Sequence, residues 1–146
     1  MTEILTLSQV KVPGTATTQE EAIREAGQIL VDAGAVTPAY IDAMFEREKS
    51  VSTFMGNSLA IPHGTNEAKD AILESALSVV RYDPPIDWGG KGQARFVVGI
   101  AGKNNGHLAI LSKIAIIFSD SDEVDELIAA ASAEEVFAKL NAVNEE

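Results

Sequence analysis

Phe96-Val97-Val98-Gly99-Ile100-Ala101-Gly102-Lys103-Asn104-Asn105-Gly106-His107 passes from a β-branched, apolar run through turn residues into helical spacing. Four apolar side chains and a glycine at 96–100 suit a strand buried on both faces, whereas the apolar positions over 106–118 repeat at the period of a helix. A buried strand feeding a helix is the signature of a layered α/β chain. The neighbouring segments agree. A second buried-strand pattern covers 77–82, and Asp83 to Gly92, rich in proline and glycine, separates the two as a predicted loop. Two short strand-like pieces, 53–55 and 58–61, flank the turn residues Gly56-Asn57. The residues at 4–12 mix apolar and β-branched types and stop at Pro13-Gly14, which predicts a first strand.

Helix signals fill the remaining chain. Thr18 followed three residues later by Glu21 is a capping box, and Ala22, Ile23, Ala26, Ile29 and Leu30 recur at helical spacing until Gly34. Thr37-Pro38 starts a second helix that ends near Glu48, with Arg47 in its last turn. A short helical turn is predicted over 66–71, and further helices over 121–131 and 133–143, with Asp120 and Ser132 as caps. The order of elements predicts one α/β domain over 1–146, a sandwich whose mixed, mostly parallel sheet carries helices on both faces.

Composition narrows the chemistry. The 146 residues are 46% hydrophobic, enough to bury a substantial core in one domain. No apolar run approaches bilayer length, and Met1-Thr2-Glu3-Ile4-Leu5 has neither a basic start nor a signal-like stretch, so a cytoplasmic protein without membrane insertion is expected. The absence of cysteine excludes disulfides and thiolate chemistry within the chain. A formal charge of −11 disfavours nucleic acid and anionic membranes and favours partners with a basic face.

The two histidines stand out, since histidine alone among side chains has an unperturbed pKa close to neutrality. Pro62 keeps Ile61 extended and denies a following helix one donor, so His63 is delivered at a strand end, where sites of α/β sheets collect. Gly64 leaves room for close approach and can take positive φ. His63 reads equally as a nucleophile and as a half-exposed turn residue. His107 falls in the first helical turn, where free N–H groups and the dipole favour an anion, although Asn104-Asn105-Gly106 is also what an ordinary cap looks like. Other chemistries find no pattern. The chain lacks a phosphate loop, a dinucleotide fingerprint, a His-Glu-x-x-His pair and a Gly-x-Ser-x-Gly elbow around Ser52, Ser58 or Ser119, so no cofactor and no metal are expected. Trp88 reads as a loop residue packed on the core, and Arg47, between Glu46 and Glu48, as a helix-end cation. Phe54, Met55, Leu59 and Ile61 suit either a partner surface or the core, with core favoured for Leu59 and Ile61.

The run Glu46-Arg47-Glu48-Lys49-Ser50-Val51-Ser52-Thr53-Phe54-Met55-Gly56-Asn57-Ser58-Leu59-Ala60-Ile61-Pro62-His63-Gly64-Thr65 resembles the active-site signature of enzyme IIA domains of the bacterial sugar phosphotransferase system, mannitol/fructose branch. Val97 to Leu108 resembles the second histidine segment of that family. The resemblance spans nearly the whole chain. Thr18-Gln19-Glu20-Glu21-Ala22-Ile23 and the Gly64-Thr65 pair are more similar to mannitol members than to nitrogen-regulatory ones. It implies a five-stranded mixed sheet and a phosphohistidine intermediate. By resemblance, His63 accepts a phosphoryl group on Nε2 from phosphorylated HPr and passes it to a cysteine of enzyme IIB, with His107 as the accessory histidine and Arg47 beside the phosphoryl group. The expected chain acts as a monomer and drives uptake of mannitol or a related sugar. The alternative is a regulatory module whose partner affinity is switched by phosphorylation of His63.

Overall fold

The computed structural model describes residues 4–50, 52–56, 58–64, 70–103 and 107–140, with the backbone alone at 84, 107 and 108. Among them, strands β1 (Val10–Lys11), β2 (Phe54–Gly56), β3 (Leu59–Ala60), β4 (Ala76–Asp87) and β5 (Gln93–Ala101) form one sheet in the order β1-β4-β5-β3-β2. β1 runs parallel to β4 and β3 parallel to β5, whereas β4 with β5 and β2 with β3 are antiparallel. The α/β sandwich holds, but the sheet is evenly mixed rather than mostly parallel. The reason lies between the two long strands: parallel neighbours need a crossover of a dozen or more residues, and only 88–92 separate β4 from β5. Gly89 and Gly90, at φ of 62° and 78°, make that tight turn, which the Asp87 carboxylate fastens by accepting from Gly90 N–H at 3.2 Å.

Two helical layers cover the sheet. On one face lie α1 (Gln19–Asp32) and α2 (Ala39–Ser50), whose Ile23, Leu30, Tyr40 and Met44 pack with Val80, Tyr82 and Val97. On the other lie α3 (His107–Phe118), α4 (Ser121–Ala129) and α5 (Ala133–Leu140), whose Ile114, Leu127 and Leu140 pack with Leu77, Phe96 and Val98. Alternate residues of β4 and β5 thus enter alternate cores, as the period of a strand requires. The predicted caps form. Thr18 Oγ1 accepts from Glu21 N–H at 3.2 Å, Asp120 accepts from Asp122 N–H at 2.9 Å, and Ser132 accepts from Glu135 N–H at 3.3 Å. The helical turn predicted over 66–71 falls almost wholly outside the described residues, as do 141–143 of the last helix and the Asn57 and Asn104-Asn105-Gly106 turns.

Two expectations give way. Residues 7–9 coil into a 3-10 turn instead of extending the first strand, because the buried Gln9 amide itself bonds the carbonyls of Ile4 (3.0 Å) and Leu77 (2.6 Å). The amide takes over from the strand ladder. The segment 83–87, expected as loop, continues β4 across Pro84-Pro85. Pairing with β5 shifts register between Arg81 and Ile86, and β1 reaches only Val79 and Val80, so the prolines interrupt no ladder bond there. Arg81 is buried, yet it ends α4: Nη1 donates to the carbonyls of Leu127 (3.1 Å), Ile128 (3.1 Å) and Ala130 (2.6 Å), and Nε donates to Asp83 at 3.2 Å. A cation at a helix C-terminus is the arrangement the helix dipole favours.

Glu25 on α1 gathers the chain before its own helix. Its carboxylate accepts from Lys11 Nζ (2.6 Å), Tyr82 OH (2.6 Å), Thr15 Oγ1 (2.8 Å) and Ala16 N–H (3.2 Å). Burial raises the carboxyl pKa, but the donors from Lys11, Tyr82 and Thr15 outweigh it and lower it from 4.5 to about 2. Because the folded value is depressed, the stabilisation is complete above pH 4.5 and is lost as pH falls towards 2. Glu25→Gln should therefore cost about 1–2 kcal/mol at pH 7, discounted for solvent screening, and progressively less below pH 4.5. Urea melts of both proteins at pH 7 and pH 3 check this; a stability gap as wide at pH 3 would refute it.

Candidate active site

β3 does not stop functioning as a strand at Ala60. Ile61 N–H donates to Thr53 O at 3.0 Å, Ile100 N–H donates to Pro62 O at 3.0 Å, and His63 forms a parallel bridge with Ile100. His63 therefore sits half-buried where the strand leaves the sheet, as Pro62 and the preceding apolar run predict. Its ring is held by its own backbone. Nδ1 lies 2.8 Å from Ile61 O, and a carbonyl can only accept, so Nδ1 carries a proton and, in a neutral ring, the lone pair falls to Nε2.

Tyr40, in the first turn of α2 and only 2% exposed, locks the following residue. Its hydroxyl donates to Ile100 O at 2.7 Å and accepts from Gly64 N–H at 2.9 Å. Both polar capacities of the phenol are used, and burial raises its pKa, so the hydroxyl keeps its proton. Gly64 is required for a reason other than the one expected. It does not adopt positive φ; a Cβ there would lie 2.5 Å from Tyr40 Cε1. The missing side chain makes room for the tyrosine ring.

Arg47, half-buried, stands in the last turn of α2, between Tyr40 at one end of the helix and Glu48 at the other. Glu48 accepts from Thr53 N–H at 3.0 Å and Trp88 Nε1–H at 3.2 Å. His107 opens α3, which follows β5. Since β3 and β5 are parallel, the segments carrying the two histidines both leave the carboxyl end of the sheet on adjacent strands. The backbone of His107 lies in a helical first turn, where unpaired N–H groups favour an anion. No group of three potential metal ligands occurs among the described residues, nor a helix long and apolar enough to cross a membrane. The ingredients are an imidazole with Nδ1 held by a carbonyl and a helix start that follows the neighbouring strand. That combination suits nucleophilic attack on an anionic group.

The family model "Phosphoenolpyruvate-dependent sugar phosphotransferase system, EIIA 2" matches residues 3–143. The chain belongs to this family. As a member of EIIA 2 it is a phosphotransferase component, similar throughout to mannitol-specific relatives. It is 52% identical over 142 residues to the mannitol-specific phosphotransferase enzyme IIA component of Halalkalibacterium halodurans, covering 97% of each chain. It superposes on the crystal structure of IIA mannitol from Escherichia coli with a TM-score of 0.86 and 37% identity, over 93% of this chain and 98% of that one. The NMR structure of the complex of enzyme IIAMTL and phosphorylated enzyme IIBMTL from Escherichia coli gives 0.87 and 36%, over 93% and 96%.

Within this EIIA 2 chain, pattern alone singled out His63, the family resemblance added His107 and Arg47, and both passed over Tyr40 and Glu48. Tyr40 counted as one more apolar residue of a helix face, although a tyrosine at a core position carries a hydroxyl that needs a partner. Glu48 looked like a solvated flank of Arg47. Tyr40→Phe should destabilise the protein by about 1–3 kcal/mol, because Ile100 O and Gly64 N–H lose their shared partner. Gly64→Ala should cost about 1–3 kcal/mol by overpacking. Much of that cost should disappear in a Tyr40→Leu background, where the ring is gone; an equal cost in both, by urea denaturation, would place the conflict elsewhere.

Proposed function

We propose that this chain is the phosphocarrier of a mannitol-type sugar phosphotransferase system, with His63 as the residue that carries the phosphoryl group. The observation that supports this most directly is the 2.8 Å contact of His63 Nδ1 with Ile61 O, which occupies Nδ1 and leaves Nε2 as the nitrogen for attack by a neutral ring. The donor is phosphorylated HPr and the acceptor is a cysteine of the cognate enzyme IIB. The IIB assignment draws on the Escherichia coli relative described in complex with phosphorylated IIB. Residues 1–146 act as one IIA domain, monomeric and in the cytoplasm, where both partners meet it.

The Nε2 lone pair attacks phosphorus of phospho-HPr as the bond from phosphorus to the donor breaks, and its electron pair returns to HPr. No proton has to leave His63. The phosphorylated ring keeps Nδ1–H and gains positive charge, which strengthens its donation to Ile61 O. In the second step the IIB thiolate attacks phosphorus in line, the Nε2–P bond breaks, and the imidazole is released in its original tautomer. The transferring group is loose, with charge on three equatorial oxygens, so the protein contributes positioning and charge stabilisation. Arg47 supplies a guanidinium to those oxygens and His107 assists beside the helix start. The mannitol assignment follows the relatives that share about half of the sequence.

Incubation with phosphoenolpyruvate, enzyme I and HPr should place one acid-labile phosphoryl group on the chain, and His63→Ala should abolish it; persistent label would sink the assignment. His107→Ala and Arg47→Ala should fold and accept phosphate about ten- to a thousand-fold more slowly, the range for lost transition-state donors. Quench-flow transfer rates indistinguishable from the parent would remove either residue from the site. Transfer from the labelled chain to purified mannitol-type IIB should be complete within a turnover. Retained label without transfer would end the transport reading.

A further inference from the structure

Glu48 makes more contacts than a solvated helix-end carboxylate has any need of. Oε2 accepts from Thr53 N–H at 3.0 Å and from Trp88 Nε1–H at 3.2 Å, while Oε1 accepts from Thr53 Oγ1. The donors are themselves enclosed, Thr53 at 4% exposure and Trp88 at 0%. One carboxylate therefore joins the end of α2, the approach to β2 and the end of β4. The contacts continue towards the chemistry. Thr53 O accepts from Ile61 N–H at 3.0 Å, and Ile61 O is the atom that His63 Nδ1 contacts at 2.8 Å. Three consecutive hydrogen bonds thus lead from Glu48 to the ring.

We infer that Glu48 is a positioning residue for phosphoryl transfer: by fixing Thr53 it holds the Ile61 peptide in the orientation that keeps His63 protonated on Nδ1. The inference rests on His63 being the phosphoryl acceptor, and deepens that reading. The physical reason is that β3 is only two residues long and cannot define the pitch of its own exit. A lateral anchor is needed, and a charged acceptor with three donors is stronger than a neutral one. A small rotation of the Ile61 carbonyl would lengthen its bond to Nδ1–H. The ring would then populate the other tautomer, whose lone pair faces the backbone instead of the phosphoryl donor.

The test compares Glu48→Ala, Glu48→Gln and Thr18→Ala in the full chain. Glu48→Ala should lower the rate constant of phosphoryl acceptance about ten-fold or more while KM for phospho-HPr moves less than about two-fold. In the same protein the ¹⁵N resonances of the His63 ring should shift from a single Nδ1–H form to a mixed population. Glu48→Gln should recover most of both readouts, since its carbonyl can accept from Thr53 and Trp88 and its amide can donate to Thr53 Oγ1. Thr18→Ala, which removes the α1 cap remote from this chain of contacts, should lower stability without moving either readout. An unchanged tautomer population in Glu48→Ala, or an equal shift in Thr18→Ala, overturns the inference. If Glu48→Ala does not fold, Thr53→Val removes the hydroxyl alone and should shift rate and tautomer in the same direction by less; no shift overturns it equally. Label surviving in His63→Ala would instead defeat the phosphocarrier reading, so the two failures are distinct.

Discussion

The peptide groups of Ile100 carry the site. Ile100 N–H holds Pro62 O and Ile100 O holds the Tyr40 hydroxyl, so the residues on either side of His63 are tied to one position of β5. β5 can serve as this reference because Phe96, Val97, Val98, Ile100 and Ala101 are all fully enclosed between the two helical layers. A strand packed on both faces has no freedom to tilt. β3, by contrast, is two residues long, and its direction beyond Ala60 is inherited from its neighbour. The fold positions a reactive ring by attaching a short strand to a rigid one.

On the proposed phosphocarrier role, the acceptor of the ring proton has to suit an anionic group. A carboxylate at Nδ1 would orient the imidazole as well as a carbonyl does, but it would place a negative charge next to an incoming phosphoryl group. The Ile61 carbonyl orients the ring without adding charge. The carboxylate that does take part, Glu48, acts several bonds away, with its charge spent on Thr53 and Trp88. In a chain of net charge −11, a neutral carbonyl as the Nδ1 acceptor adds no further negative charge beside the ring.

The α/β class, the helix boundaries and the strand-end setting of His63 were legible because each rests on local chemistry: a capping box at Thr18, proline at 62, a buried run at 96–100. What stayed hidden depends on pairing. The direction of β4 against β5 follows from a connection whose prolines look like loop but extend a strand, and the shortness of β1 follows from one glutamine amide that reaches Leu77 O. Tyr40 and Glu48 escaped for the same reason. Tyr40 bonds Gly64 and Ile100, 24 and 60 residues on, and Glu48 reaches Trp88, 40 residues on, while its nearer partner Thr53 lies beyond the end of the helix, so no local pattern announces them.

Control of the tautomer by a main-chain oxygen also has a genetic consequence. No codon change at position 61 removes a carbonyl, so drift cannot delete the acceptor by substitution in the way it could delete an aspartate or a glutamate. Loss has to come indirectly, through residues that tilt the strand. The proton state of the His63 ring is therefore insulated from mutation at the contact itself, and the mutational vulnerability is moved into the buried frame, where changes that tilt the ring also tend to spoil folding and are removed with it.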